Sequence, residues 1–239
     1  MGNWLKRFGI LTALAFPASV VLYRQGVLGF GGALEIIKAS AGLGVLVFLV
    51  GVVYWFFTRK SNSQGARAAM IGALIAIIPV IPLALQAKKA SSVPYIHNIS
   101  TDVVNAPEFN KVLTLRTDQD NPHQYDADAL AELQQKAYPE VKTLMTAMSV
   151  EEALIKAEKI ARELGWEIVD VDASNGLVEA TETTLLWGFK DDIVIRVQPS
   201  GSETAVDLHS VSRFGQSDLG VNAARIEKFL NSFSQVEFQ

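Results

Sequence analysis

The residues best suited to chemistry sit in one late tract of the chain. Arg213 precedes Gly215, Ser217 and Asp218, and Asn222 follows in the first turn of a helix expected from about Leu219. Free N–H groups and the helix dipole make such an end a natural anion site. Arg213 would add a bidentate contact to a phosphate or carboxylate. The same residues also suit plain capping, with Ser217 or Asp218 closing the helix and Arg213 paired to a local acid. A second set is Asp191, Asp192, Arg196 and Asp207. Strand alternation puts the two adjacent aspartates on opposite faces. With Arg196 and Asp207 they make either an acid/base or cation-binding cluster on an open sheet face, or a salt-bridge network at a strand edge.

Other chemistries are poorly served. His97, His123 and His209 are dispersed, and His209 alternates with Asp207 on one strand face, too few ligands for a metal site. The chain has no cysteine, which excludes disulfides, thiolate catalysis and Cys-based metal centres. It carries no GxSxG, HExxH, P-loop or dinucleotide fingerprint, so no cofactor, metal or catalytic residue is assigned. Trp166, Trp187, Phe189 and Phe214 either line a groove for a lipid tail or peptide, or serve as core and turn-packing aromatics.

These residues belong to the second half of a divided chain. Of the 239 residues, 49% are hydrophobic and the mean hydropathy is +0.23. Residues 1–90 carry nine Lys and Arg against the single acid Glu35, a charge of +8; residues 91–239 carry twelve against twenty-four acids, a charge of −12. So acidic a second half excludes nucleic acid as a partner, because phosphate contacts need a basic surface.

Residues 91–239 read as one α+β domain. An irregular segment, 91–126, wraps it, and a short helix is expected over 127–137. Ser149 and Glu152 form a capping box, and the helix that follows puts Leu154, Ala157, Ile160, Ala161 and Leu164 on one face before Gly165 ends it. Four strands are expected at 166–171, 177–186, 189–198 and 204–213, the first pair joined through Asn175-Gly176. A last helix, 219–233, aligns Ile226, Phe229, Leu230 and Phe233. The expected fold is a four-stranded antiparallel meander flanked by two helices packed on one face, α-β-β-β-β-α.

Residues 1–90 hold three apolar runs, at about 8–23, 39–57 and 68–85, none containing Asp, Glu, Lys, Arg or His. A span needs about 20 apolar residues, so the runs predict a three-helix transmembrane anchor, the first helix uncleaved. Without intramembrane charge, a pump or ion-coupled transporter is not expected. Pro79 and Pro82 predict a bend in the third helix. Ser40, Gly44 and Gly51 share a small-residue face, for self-association, a partner helix or packing inside the bundle. Lys and Arg near the helix ends number five on the N-terminal side and four on the other. That bias predicts a cytoplasmic N-terminus and a C-terminal domain outside, the periplasm if the membrane is a bacterial inner membrane.

Several segments carry a family likeness: His97-Asn-Ile-Ser-Thr-Asp102, Tyr138-Pro139, Gly165-Trp166, Gly188-Phe189-Lys-Asp-Asp-Ile-Val-Ile-Arg196 and Ser210-Val-Ser-Arg-Phe-Gly-Gln-Ser-Asp-Leu-Gly-Val-Asn-Ala-Ala-Arg225. Across most of 94–233 the chain resembles an uncharacterised family known as domain of unknown function 1499. Many members begin with an Asn-Cys-Val-Ser-like segment, and this chain departs from it. The resemblance implies a membrane-associated bacterial or plastid protein and supplies no activity.

The expected function is therefore a membrane-anchored envelope protein acting as a binding or accessory module. Its partners would be the lipid bilayer, a lipid or anionic small ligand, an envelope component or another membrane protein. The alternatives are a structural subunit of a larger membrane complex and an envelope enzyme using the Asp/Arg cluster.

Overall fold

A computed structural model of the chain describes residues 1–235. They form two compact units, residues 1–89 and 90–235.

The first unit is helical. α1 (Gly2–Arg24), α2 (Phe30–Thr58), α3 (Ser63–Ala76) and α4 (Val80–Ala90) follow one another. Gly2–Arg24, Phe30–Thr58 and Ser63–Ala90 give three helical stretches of 23, 29 and 28 residues, each long and apolar enough to cross a membrane. The break between α3 and α4 falls just before Pro79, whose ring removes a backbone donor. Asn62 caps α3, its side chain accepting from the Gly65 N–H at 3.0 Å. Glycines let the helix backbones meet. A Cβ on Gly44 would stand 2.2 Å from the Ala76 carbonyl oxygen, and one on Gly9 would stand 2.1 Å from that of Gly72. Ser40, Gly44 and Gly51 are all buried, and the last two sit against α3. Their small-residue face is thus covered inside the bundle, as close packing of membrane helices requires.

The second unit is an antiparallel sheet with helices. Its elements are β1 (Asn98–Ser100), α5 (Ala127–Ala137), β2 (Leu144–Thr146), α6 (Val150–Glu163), β3 (Glu167–Asp172), β4 (Leu177–Thr183), β5 (Lys190–Ser200), β6 (Glu203–Ser212) and α7 (Val221–Gln235), with a 3₁₀ turn at Lys111–Leu115. The expected meander β3–β6 is present, and the sheet gains two further strands. β1 and β2 both pair antiparallel with β6, end to end along its outer edge, giving six strands. Each is only three residues long, so neither shows a strand period in the sequence.

Local chemistry explains the main elements. Ser149 and Glu152 close their capping box at the start of α6. Gly176 turns β3 into β4 at φ +64°, and a Cβ there would meet the Val197 carbonyl oxygen at 2.1 Å, so only glycine fits. α6 and α7 cover one sheet face, enclosing Ile160, Ile193, Ile195, Val206, Leu208, Ile226 and Phe229 in the main core. The other face was expected to be open, and it is not. The segment 101–123 lies across it, and Phe109 and Val112 pack on Val194 and Val211 in a second, smaller core.

Candidate functional site

Alternation along β5 and β6 sorts the polar residues onto the two faces. Asp191 pairs in register with Ser212, and Ile193 with Ser210, on the helix side; Asp192 with Val211, Val194 with His209 and Arg196 with Asp207 face the covering segment. The predicted separation of Asp191 from Asp192 is present. So is the meeting of Arg196 with Asp207, Nη2 donating to Oδ2 at 3.0 Å.

On the covered face, each aspartate is matched by arginine. Arg213 grips Asp192 with two bonds, Nε to Oδ2 at 2.9 Å and Nη2 to Oδ1 at 2.7 Å. Arg116 also donates to Asp192 Oδ2, and Thr181 Oγ1 donates to Oδ1 at 2.9 Å. The Asp192 side chain is fully buried. Asp207 accepts from Thr101 and Thr143 as well as from Arg196, while Arg196 also binds Asp102 and the Asn105 carbonyl. Glu179, buried on β4, accepts the backbone N–H groups of Asn110, Lys111 and Val112 at 3.0, 2.9 and 2.7 Å. These contacts fasten the covering segment to the sheet, as charge-assisted bonds in a dry setting do.

The helix side holds a separate network. Arg225 donates to Asp191, Glu182, Ser210 and Asn222, and Asn222 Nδ2 donates to the His97 carbonyl at 3.0 Å. Burial pushes the Asp191 carboxyl up from its ordinary range, with Arg225 opposing. Arg213 and Asn222, neighbours in the sequence tract, therefore serve opposite faces of the sheet. At the start of α7 the Asp218 carboxylate accepts from the N–H groups of Gly220 and Asn222, both at 2.8 Å, and Ser217 Oγ accepts from Leu219 at 3.3 Å. Gly215 takes φ +86° in the turn between, its carbonyl accepting from Asn121 at 2.7 Å. The helix end is satisfied by its own carboxylate, which is the capping arrangement.

The four aromatics also divide. Trp166 stacks on Phe229 in the main core, while Trp187, Phe189 and Phe214 form a separate stack with centroids 6.2 and 4.9 Å apart.

Where the covering segment meets the sheet, a cleft of about 830 Å³ remains. Phe109, Leu113, Tyr125 and Leu177 give it apolar walls, and Arg196, His123 and His209 give it polar ones. His209 lies between two oxygens, Nδ1 2.7 Å from the Pro107 carbonyl and Nε2 2.6 Å from Asn98 Oδ1. Both oxygens favour a protonated ring, but burial dominates and the His209 pKa is pushed down to about 4. Burial lifts the Tyr125 hydroxyl to about 12. Arg196 Nε is buried with no hydrogen-bond partner. Among the described residues, no three His, Asp or Glu side chains converge as a metal site would need.

Sequence reasoning missed Arg116, Glu179, Asn98 and the cleft. Their partners lie 67 to 111 residues away, beyond any local pattern. Strand alternation did carry one usable signal, because a face bearing Glu179, Asp192, Asp207 and His209 is too polar to lie on an ordinary core.

Fold and site together define a class: three helices long and apolar enough to cross a membrane, followed by an α+β domain whose antiparallel sheet is covered on both faces. Residues 98–233 match the family described as "Protein of unknown function (DUF1499)", and the chain belongs to that family. A comparison with curated proteins returns no match.

Proposed function

We propose that the chain is a membrane-anchored binding module whose C-terminal unit holds a small amphipathic molecule, such as a lipid, in the cleft beside Arg196 and His209. The observation that carries this reading is the cleft itself. Its volume of about 830 Å³ falls within the usual range for ligand sites, and it joins apolar walls to a few convergent polar groups. Arg196 is already balanced by Asp102 and Asp207, and Glu108 also lines the cleft, so the occupant is uncharged or amphipathic rather than a simple anion.

An envelope enzyme using the Asp/Arg set is the weaker reading. Asp191, Asp192 and Asp207 are each ion-paired, which leaves none poised as a general base. A structural subunit docked through Ser40, Gly44 and Gly51 is weaker too, because that face packs within its own bundle. The proposed location is a bacterial inner membrane with the C-terminal unit in the periplasm, from the count of basic residues at the helix ends.

The test is native mass spectrometry of the full-length protein released gently from its own membrane. The expected result is a small-molecule adduct that Leu177→Trp removes by filling the cleft. A bare protein mass, or an adduct untouched by Leu177→Trp, would overturn the proposal.

A further inference from the structure

The turn between α2 and α3 carries Arg59 and Lys60, and Arg67 follows one helical turn into α3. The turn is fixed by its own hydrogen bonds. Thr58 Oγ1 donates to the Tyr54 carbonyl at 2.7 Å, the Asn62 N–H donates to the Thr58 carbonyl at 2.7 Å, and the Asn62 side chain caps α3. Helical spacing then gathers one set of side chains. Ser63, Arg67, Met70 and Ile71 fall at i, i+4, i+7 and i+8 on one face of α3, while Trp55 and Arg59 stand one turn apart at the end of α2. These side chains line a cavity of about 290 Å³ within the helical unit.

The charge in this cavity is of one sign. The Arg59 guanidinium lies over the Trp55 ring at 4.8 Å and over the Phe56 ring at 5.1 Å. Such contacts use the face of the guanidinium and leave its N–H edge for an acceptor. Glu35 is the single acid of residues 1–90, and it is paired with Lys38 at 2.9 Å. It precedes Arg59 by 24 residues, about 36 Å along a helix. Among the described residues, neither Arg59 nor Arg67 has a carboxylate partner. Asn62 takes the N–H groups of Gly65 and Ala66, which leaves those of Ser63 and Gln64 over at the same helix end.

Two guanidiniums on one cavity without a counter-charge suit an anion, and the surroundings narrow its kind. Both arginines lie just outside the uncharged runs 39–57 and 68–85. In a bilayer the cavity therefore stands at headgroup level, where tryptophan also settles. Ile71, 41% exposed, and Phe56, 57% exposed, offer apolar surface beside it to the first acyl carbons. A volume of about 290 Å³ is at the small end for ligand sites, with room for a headgroup rather than a whole lipid. Basic pockets between membrane helices hold such headgroups, and arginine binds phosphate through two N–H groups at once.

We infer that this cavity binds the phosphate of an anionic phospholipid headgroup, with Arg59 and Arg67 clasping its oxygens and Trp55 bordering its glycerol. The inference rests on the reading of α1–α4 as a membrane anchor and is separate from the cleft in the second unit.

Brominated lipids test it, because bromine quenches tryptophan only at close range. Full-length protein is reconstituted in phosphatidylcholine vesicles that contain brominated phosphatidylglycerol or brominated phosphatidylcholine. The Trp55 emission is taken as the difference from Trp55→Phe in the same vesicles. The expected result is quenching several-fold stronger per mole of the phosphatidylglycerol. Arg67→Gln and Arg59→Gln, each compared with its own Trp55→Phe double variant, should bring the two lipids to parity. Lys60→Gln removes the same charge from a residue outside the cavity and should keep the preference. Equal quenching by the two lipids in the wild type, or an equal loss of preference in Lys60→Gln, would overturn the site and leave the anchor standing. No quenching by either lipid would overturn both. A preference abolished by added inorganic phosphate, at an ionic strength matched with chloride, would assign the cavity to free phosphate and overturn the lipid headgroup.

Discussion

Arg213, just past the end of β6, and Asp192 near the start of β5 form a two-bonded ion pair, at 2.9 and 2.7 Å, in the interior between the sheet and the segment that covers it. Arg116, from that covering segment, shares the same carboxylate. One buried aspartate therefore holds two guanidiniums, one from the sheet and one from its cover.

Removing that carboxylate leaves both cations buried without a counter-charge. Asp192→Ala should cost about 3–5 kcal/mol of stability, the usual penalty for breaking a buried pair from one side. Chemical unfolding of the full-length protein in mild detergent would measure it. A loss below about 1 kcal/mol would mean that the guanidiniums are hydrated as surface ions are.

His209 predicts an acid-labile fold. Burial holds its pKa at about 4 against 6.5 for the free ring. Between those values the unfolded chain takes up a proton that the folded one refuses, so stability falls as pH drops through that window, by about 3 kcal/mol in all. Asp191 works the other way, since its raised carboxyl favours the fold as pH falls. Unfolding curves for the wild type should therefore weaken from pH 6.5 to 4, and His209→Gln should flatten that slope. A wild-type slope that His209→Gln leaves unchanged would show that the imidazole does not carry it.

Glu179 sets the wall of the cleft. Its three backbone bonds fix residues 110–112, and hydrogen bonds to a charged group are worth about 1.5–3 kcal/mol each against an unmade bond. Glu179→Ala should speed amide hydrogen exchange in residues 105–116 while leaving α6 and α7 protected. Unchanged exchange in 105–116 would show that Phe109 and Val112 hold the segment without it.

In the helical unit, Gly44 and Gly42 make a matched pair of sites. A Cβ on Gly44 would strike the Ala76 carbonyl, whereas one on Gly42 meets nothing within 4 Å. Gly44→Leu should force α2 from α3 at a cost of about 1–3 kcal/mol, the range for overpacking, and Gly42→Leu should be silent. Thermal denaturation in detergent would compare them. Equal effects would contradict the packing described.

Elements with their own local signal were legible in the sequence. The capping box fixed the start of α6, Asn175-Gly176 fixed the β3–β4 turn, and alternation separated Asp191 from Asp192. What could not be read depends on distant pairing. β1 and β2 become strands only because β6 offers them its edge, and Asp192 finds Arg116 across 76 residues. The tract from Arg213 to Asn222 suggested one site because its residues are consecutive. The chain turns off the sheet between them, so Arg213 faces the covering segment while Asn222 joins the network under α7. The sequence marks 91–126 as a wrapping segment and the polar face of β5 and β6 as open; no local pattern shows that the wrap lies on that face, where Phe109 and Val112 pack on Val194 and Val211.

The most direct test of the binding module is photocrosslinking in the native membrane with a photoactivatable phospholipid, followed by peptide mapping of the full-length protein. The account predicts adducts on residues 104–125 and around Leu177, lost in Leu177→Trp, in addition to those on the apolar helices. Adducts confined to the apolar helices would contradict it.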